Sequence, residues 1–382
     1  RCPVILGSAT PSLESIQNLA RRDYREIRLP RRVAEAVMPE VRLIDMKTST
    51  LDGVLSQTLH GHIAETLKKH QQVLVFQNRR GYAPAVMCHD CGWLAVCTRC
   101  DKPMTLHKQK QRLWCHHCDR QITLPESCPE CSHLQLVEIG HGTERIEESL
   151  QASYPGAKIV RIDRDTTRRK GSMDTMVGEI LDGDADILIG TQMLAKGHHF
   201  PDVTLAVIVD IDGSLYSTDF RAIERMGQLI TQVSGRAGRG QHPGTVLIQT
   251  HFPDHPLIRT LLDDGYMAFS TALLEEREAA GLPPFSYMAV LRAEANSKDD
   301  VSSFLVNARA QAGDTAKSLQ IIGPVHAPMQ RRAGRYRMQL VVQSTSRQTL
   351  NRFLGQWLDR VEDLKQSRKV RWSIDVDPQD MM

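Results

Sequence analysis

Aromatic residues are scarce: Phe, Trp and Tyr make up 5% of the 382 residues, so any stacking on nucleic-acid bases has to be local. Long apolar runs are missing too. Nothing approaches the roughly 18 uninterrupted apolar residues of a membrane span; the best candidate, Val203 to Ile211, is broken by Thr204 and Asp210. This excludes a spanning helix. The start at Arg1 lacks the zoned layout of a signal peptide, and it lacks an initiator Met, so residues upstream are expected. Neither charge dominates: 48 Lys and Arg against 45 Asp and Glu leave +3, which neither demands nor forbids a nucleic-acid partner. No internal repeat or low-complexity tract occurs. The apolar share of 41% and charged share of 24% are those of ordinary globular chains, and the length suits two or three domains.

Cysteine is present in an uneven way. Of nine Cys, eight lie between Cys88 and Cys131. They form four Cys-x-x-Cys pairs: Cys88/Cys91, Cys97/Cys100, Cys115/Cys118 and Cys128/Cys131. Eight thiolates in four knuckles supply two complete four-cysteine sites, as structural zinc requires. A secreted disulfide framework rarely repeats one spacing four times, and a thioredoxin-like pair would stand alone in a βαβ setting. The middle pairs are fourteen residues apart, Asp101 to Trp114, close to a zinc-ribbon spacing. Nesting would place Cys97, Cys100, Cys115 and Cys118 on one ion and the outer four on the other; a cross-braced pairing competes. With no position left open, neither site should activate water. His89, His107, His116, His117 and His133 read as solvated, and Cys2 as a small buried residue.

The rest of the chain alternates strands and helices. Val4 to Ala9 reads as a buried strand, followed by a helix through Ala20 opened by Pro11. Pro30 and Pro39 punctuate an irregular passage. A helical spacing over Val54 to His70 precedes the strand Val73 to Phe76. After the cysteine block come a helix at Glu144 to Leu150, the strand Lys158 to Ile162, a helix at Ser172 to Leu181 and the strand Asp186 to Ile189. The strand Thr204 to Val209, a helix over Phe220 to Val233 and the strand Thr245 to Gln249 follow. Such alternation predicts a parallel α/β sheet with the cysteine module inserted. From Tyr287 the order becomes βαββαβ, the pattern of a small ferredoxin-like α+β sandwich.

Three stretches carry chemistry. Gly7-Ser8-Ala9-Thr10-Pro11 lies where a strand gives way to a helix. Gly190-Thr191-Gln192-Met193-Leu194-Ala195-Lys196-Gly197 follows a strand at the carboxyl edge, where α/β sheets bind ligands. Gln232 to Arg239 ends the long helix, and a helical turn would put Arg236 and Arg239 on one face. Two guanidiniums aimed into a cleft suit the γ-phosphoryl of a triphosphate; the plainer alternative is pairing with carboxylates on a solvated face.

The joint order of these stretches resembles the second half of a superfamily 2 helicase and, more narrowly, the bacterial replication-restart helicase family of PriA, primosomal protein N′. The resemblance rests on Leu6 to Ser15, Phe76 to Pro84, the eight cysteines, Gly140 to Glu144, Gly190 to Gly197 and Gln232 to Arg239. It implies a RecA-like helicase lobe with a parallel sheet, an inserted two-zinc module and a C-terminal α+β domain of S10-like or ferredoxin-like type. The boundaries expected on this basis are 1–30 for the end of the first lobe and 31–87 for a linker and the start of the second. Residues 88–131 would be the zinc insertion, 132–255 the remainder of the second lobe and 256–382 a DNA-binding domain.

The resemblance also implies roles. Thr10 and Gly235 would serve nucleotide binding, with Thr10 coupling nucleotide state to DNA. Gln232, Arg236 and Arg239 would act as the arginine-finger motif. Thr191, Lys196 and Gly197 would touch the DNA backbone, and the zinc pairing would be the nested one. Arg331, Arg332, Arg335 and Arg337, with Tyr336, fit a contact of guanidiniums with phosphates and a ring with a base. Implied cofactors are two zinc ions, with ATP and Mg²⁺ in the intact enzyme. Implied partners are forked and single-stranded DNA, other primosome proteins and single-stranded-DNA-binding protein, for a cytoplasmic, nucleoid-associated monomer.

No Gly-x-x-x-x-Gly-Lys-Ser/Thr phosphate loop occurs in the sequence, and no Asp-Glu box precedes Ser8. In the family both lie upstream. The expectation is therefore a piece of an ATP-dependent 3′ to 5′ DNA helicase that does not hydrolyse ATP alone. A stand-alone zinc-stabilised DNA-binding or assembly module is the alternative of another class. An RNA-directed superfamily 2 enzyme is a third reading, which the zinc insertion weakens.

Overall fold

The structure is a computed structural model, and it describes residues 2–29, 38–77, 85–88, 91, 93–100, 103–107, 111–115, 118, 120–134, 136–139, 143–163, 166–167, 172–191, 200–217, 219–238, 242–313 and 319–381. The chain divides into two compact units, 1–82 with 140–273, and 83–139 with 274–382.

The first unit contains α1 (Leu13–Ala20), β1 (Glu40–Asp45), a short hairpin of β2 (Leu51–Asp52) and β3 (Leu55–Ser56), α2 (Gln57–Lys68) and β4 (Gln72–Phe76). After the cysteine block it resumes with α3 (Thr143–Ser153), β10 (Ile159–Ile162), α4 (Ser172–Leu181), β11 (Ile187–Gly190), β12 (Val203–Ile208) and the short α5 (Asp212–Leu215). Then come α6 (Ala222–Ser234), β13 (Thr245–Thr250), α7 (Pro256–Asp263) and α8 (Gly265–Ala279), which belongs to this unit up to residue 273. Six strands form one parallel sheet in the order β1-β13-β12-β4-β11-β10. The strands β4, β11 and β12 are buried along their whole length, as strands covered by helices on both faces must be. Ser12 and Ser56 cap α1 and α2 by accepting the Ser15 and Leu59 N–H groups, which satisfies donors that a helix start leaves open.

The helices and strands expected here are present, with three differences. The run at Val4 to Ala9 is no strand: Val4, Ile5 and Leu6 are 76%, 87% and 71% exposed, and Cys2 is exposed as well. Apolar β-branched residues become a strand only against a hydrogen-bonding neighbour, and among the described residues no strand of this unit pairs with them. Conversely, β1 lies in the passage that reads as irregular. Its alternation of exposed and buried residues is weak, and its place is set by register, Glu40 beside Thr245. The helices α7 and α8 were not expected. The resemblance places the start of a separate domain at 256, yet Tyr266 donates to the Pro11 carbonyl at 2.8 Å and Phe269 packs under Gly227, both in the first unit.

The second unit holds β5 (Ala85–Cys88) paired with β9 (Leu136–Ile139), a three-stranded sheet of β6 (Thr105–His107), β7 (Arg112–Trp114) and β8 (Gln121–Thr123), and the C-terminal elements. The latter are β14 (Tyr287–Ala295), α9 (Lys298–Ala310), β15 (Gln320–Arg332), β16 (Arg335–Ser344), α10 (Arg347–Glu362) and β17 (Arg371–Val376). Their antiparallel sheet runs β15-β16-β14-β17, the strand order of a ferredoxin-like βαββαβ fold. Ser297 and Ser346 cap α9 and α10. The two helices bury Phe304, Leu305, Phe353 and Trp357 against the sheet, and the Trp357 indole donates to the Ala308 carbonyl at 2.7 Å. The strand expected over Leu319 to Gly323 is much longer, because β15 continues along β16 through two irregularities of register.

Candidate functional sites

The carboxyl edge of the parallel sheet collects the first group of expected residues. Thr191 follows β11 and is buried, and the Gln77 N–H at the end of β4 donates to the Gly190 carbonyl at 2.9 Å. Lys196, Gly197 and the other residues 192–199 lie outside the described residues, as do 78–84 and 140–142. Thr143 opens α3 and donates to Asp163 at 2.9 Å. Beside it, Arg161 lies 3.3–3.4 Å from Glu144, Glu147 and Asp163. Burial pushes the Glu147 carboxyl above the usual range, Arg161 opposes the shift, and the neighbouring carboxylates add to it.

Helix α6 organises a second group. Gln232 Nε2 donates to Thr10 Oγ1 at 3.0 Å, so the two stretches expected to handle nucleotide are joined directly. Glu224, in the first turn of α6 and only 4% exposed, accepts the Leu13 N–H at 3.1 Å. Glu14 pairs with Arg221 at 2.5 Å, and Arg225 pairs with Asp219. Ser8 to Leu13 is thereby fastened to the helix that leads to the arginines. Sequence reasoning missed Glu224, although a carboxylate among the buried Met226, Gly227 and Ile230 is the visible sign of a polar partner.

Arg236 does not lie on the helix. The helix ends at Ser234, Gly235 closes it by donating to Thr231, and Arg236 lies in the turn beyond, its N–H on the Val233 carbonyl at 2.9 Å; Arg239 lies outside the described residues. The turn is pinned by Gly238, whose φ is +67° and whose Cβ, if present, would sit 2.3 Å from the Gly244 nitrogen. A Gly238→Ala chain is expected to lose about 2–4 kcal/mol from the left-handed backbone and the overlap together. Urea unfolding of the first unit reads this; an unchanged midpoint would mean that the turn relaxes freely.

The C-terminal arginines surround the β15–β16 turn, with Arg331 opposite Tyr336 and Arg332 opposite Arg335. The Arg331 guanidinium lies over the Tyr336 ring at 4.9 Å, and that ring also packs on the sheet's core. Tyr336 thus has a cation over its ring and is partly buried against the core. Arg335 lies 3.5 Å from Glu294. Burial pulls the Arg337 guanidinium below its usual range, with Glu294 acting the other way and Arg332 and Arg292 adding to the fall. Arg332 is exposed.

The eight cysteines form two groups, Cys88, Cys91, Cys128 and Cys131, and Cys97, Cys100, Cys115 and Cys118, with all sulfurs of a group within 4.8 Å of one another. This is the nested pairing; a cross-braced one is absent. Sulfur–sulfur approaches within the groups include 3.5 Å for Cys88–Cys131, 3.6 Å for Cys91–Cys128 and 3.7 Å for Cys97–Cys118. A disulfide needs about 2.05 Å, whereas zinc–sulfur bonds of about 2.3 Å set tetrahedral sulfurs about 3.8 Å apart. The donor set and spacing fit tetrahedral zinc. The crowding points the same way. At Cys131 the His133 N–H favours the thiolate, yet desolvation and the sulfurs of Cys91, Cys88 and Cys128 push the thiol up to about 12, a cost that a bound cation removes. Of the histidines, His133 is exposed, while His107 is buried and tilts against Trp114 with 5.1 Å between ring centres, because β6 turns it inward. His89, His116 and His117 lie outside the described residues.

Comparison with known families now bears on this geometry. Residues 278–379 match the primosomal protein N C-terminal domain, 97–122 the PriA DNA helicase Cys-rich region domain, and 134–241 the helicase conserved C-terminal domain. The replication restart protein PriA of Haemophilus influenzae is 45% identical over 99% of this chain and 52% of its own length. The chain belongs to the PriA family. The PriA proteins of Bacillus subtilis and Synechocystis are 39% and 38% identical over 100% and 99% of the chain, and over 48% and 46% of their own lengths. The chain thus spans about half the length of these curated PriA relatives. The PriA Cys-rich match encloses the inner cysteine group, and the PriA C-terminal match encloses β14 to β17. Among solved structures, yeast Dbp5 bound to RNA and ADP BeF3 aligns at a TM-score of 0.32 and 12% identity over 71% of this chain and 47% of that one, too distant to add to this. No helix among the described residues is long and apolar enough to cross a membrane.

Proposed function

We propose that this chain supplies the second motor lobe, zinc module and DNA-binding domain of an ATP-dependent 3′ to 5′ DNA helicase. That helicase recognises and remodels stalled replication forks and starts primosome assembly. The observation that carries the motor reading is the Gln232–Thr10 hydrogen bond. A γ-phosphate met by Arg236 would be felt through α6 at Thr10, the stretch expected to pass nucleotide state to DNA. Arg236 and Arg239 would supply positive charge to the transferring phosphoryl group, and Gly235 would leave room for the nucleotide. Thr191, Lys196 and Gly197 would hold the DNA backbone. Arg331, Arg332, Arg335 and Arg337 would hold phosphates, with Tyr336 bracing Arg331. The two cysteine groups would each hold one structural zinc. ATP turnover needs a phosphate loop and Mg²⁺ site that these residues do not include, so this chain alone is expected to bind DNA without hydrolysing ATP.

The test is binding of this chain to forked DNA and to linear duplex of equal length, at one physiological salt concentration because phosphate contacts alone can dominate affinity. A clear preference for the fork is expected. Equal, weak binding would remove fork recognition from these residues and leave them a motor half and a platform.

A further inference from the structure

The second unit contains a contact that neither cysteine chemistry nor sheet pairing requires. The turn of the β15–β16 hairpin, Ala333 and Gly334, lies against the knuckle Cys97–Cys100. The Ala333 N–H donates to Cys100 Sγ at 3.1 Å across 233 residues of sequence. The Gly334 N–H donates to the Arg99 carbonyl at 2.8 Å, and Arg99 Nη2 donates to the Ala333 carbonyl at 3.3 Å. Both turn residues have positive φ, 52° and 86°, the backbone of a tight hairpin turn, and this bend delivers two successive N–H groups to one knuckle.

Cys100 is buried, so its sulfur depends on protein donors where water would otherwise serve. Donors to a metal-bound thiolate spread its charge, and outer partners of a ligand change metal affinity by about 10–100-fold. We propose that the Ala333–Gly334 turn is an outer part of the metal site of Cys97, Cys100, Cys115 and Cys118, slowing loss of that zinc through the bond to Cys100. The proposal rests on the zinc reading of the cysteine groups. Coupling of this kind is reciprocal: what the turn adds to metal retention, the metal adds to closure of the turn. Arg331, Arg332 and Arg335 flank the turn, so zinc in this site steadies the backbone between them. The bonds of the turn reach one knuckle, and the effect belongs to one metal of the two.

The test uses the full chain carrying two zinc ions, challenged with excess chelator while zinc release is followed. In Ala333→Pro, which has no N–H and cannot adopt positive φ, one equivalent is expected to leave about tenfold faster and the other at its original rate. Ala333→Gly keeps the N–H and accepts the positive φ, and both equivalents should leave as before. Because the proline also strains the hairpin, Arg99→Ala serves as a second variant; it removes only the Nη2 bond and should hasten the same equivalent to a smaller degree. In the reverse direction, Cys118→Ser should speed amide exchange at Ala333 and Gly334 severalfold while β14 keeps its protection. Release of both equivalents faster to the same degree, or of neither, overturns the proposal alone. A chain that loads fewer than two zinc ions overturns the zinc reading and the proposal with it.

Discussion

Arg236→Ala, made in a longer PriA chain that carries a phosphate loop, is expected to lower DNA-stimulated ATP turnover by about 10³–10⁵-fold, the usual weight of an arginine finger, while DNA binding stays largely intact. The separation follows from position. Arg236 stands in the turn after α6, anchored through backbone bonds to Val233 and, two residues on, from the Gly238 N–H to Val203, so removing the side chain leaves the turn's scaffold in place. Of the residues proposed for phosphate backbone contact, Thr191 follows β11, on another connection between elements than Arg236. Arg236→Lys should rescue little, since an ammonium cannot present the guanidinium's planar fork to a phosphoryl group. Steady-state hydrolysis with and without single-stranded DNA, alongside a binding isotherm, checks this. Unchanged turnover would take Arg236 out of the nucleotide site.

Loss of one zinc ligand should be felt nearly as strongly, but locally. Cys115→Ser is expected to leave the chain with one zinc equivalent of two, and to melt β6, β7 and β8. Among the described residues, the core around that site has eight buried residues, of which Cys97, Cys100 and Cys115 are three. A core this small cannot order its backbone without a cross-link. A structural zinc contributes about 10–16 kcal/mol in small peptides at neutral pH, far more than those apolar contacts supply. The sheet of β14 to β17 has its own core under α9 and α10 and should keep its fold. Metal analysis with near-ultraviolet circular dichroism reads both parts. Retention of both ions in Cys115→Ser would break the nested assignment, and Cys128→Ser, which should empty the other site, is the matching control.

Much of this protein was legible from its residues alone. The four Cys-x-x-Cys pairs declare two metal sites because ligand chemistry depends on residue type and local spacing. The βαββαβ order of the C-terminal domain and the buried strands β4, β11 and β12 follow from apolar periodicity, which reports burial directly. The order of the short motifs points to the PriA family without reference to the fold. Tertiary structure decided what depends on distant partners. The run Val4 to Leu6 has the composition of a strand and stays exposed, because composition cannot supply a neighbour. The poorly patterned Glu40 to Asp45 becomes a strand because β13 offers it a register. That Arg236 stands in a turn and not on the helix depended on α6 stopping at Ser234. Glu224 beneath Leu13, the Gln232–Thr10 bond and the Ala333 N–H on Cys100 each join residues more than two hundred positions apart. No local pattern encodes such a pairing; only the folded chain brings those donors and acceptors together.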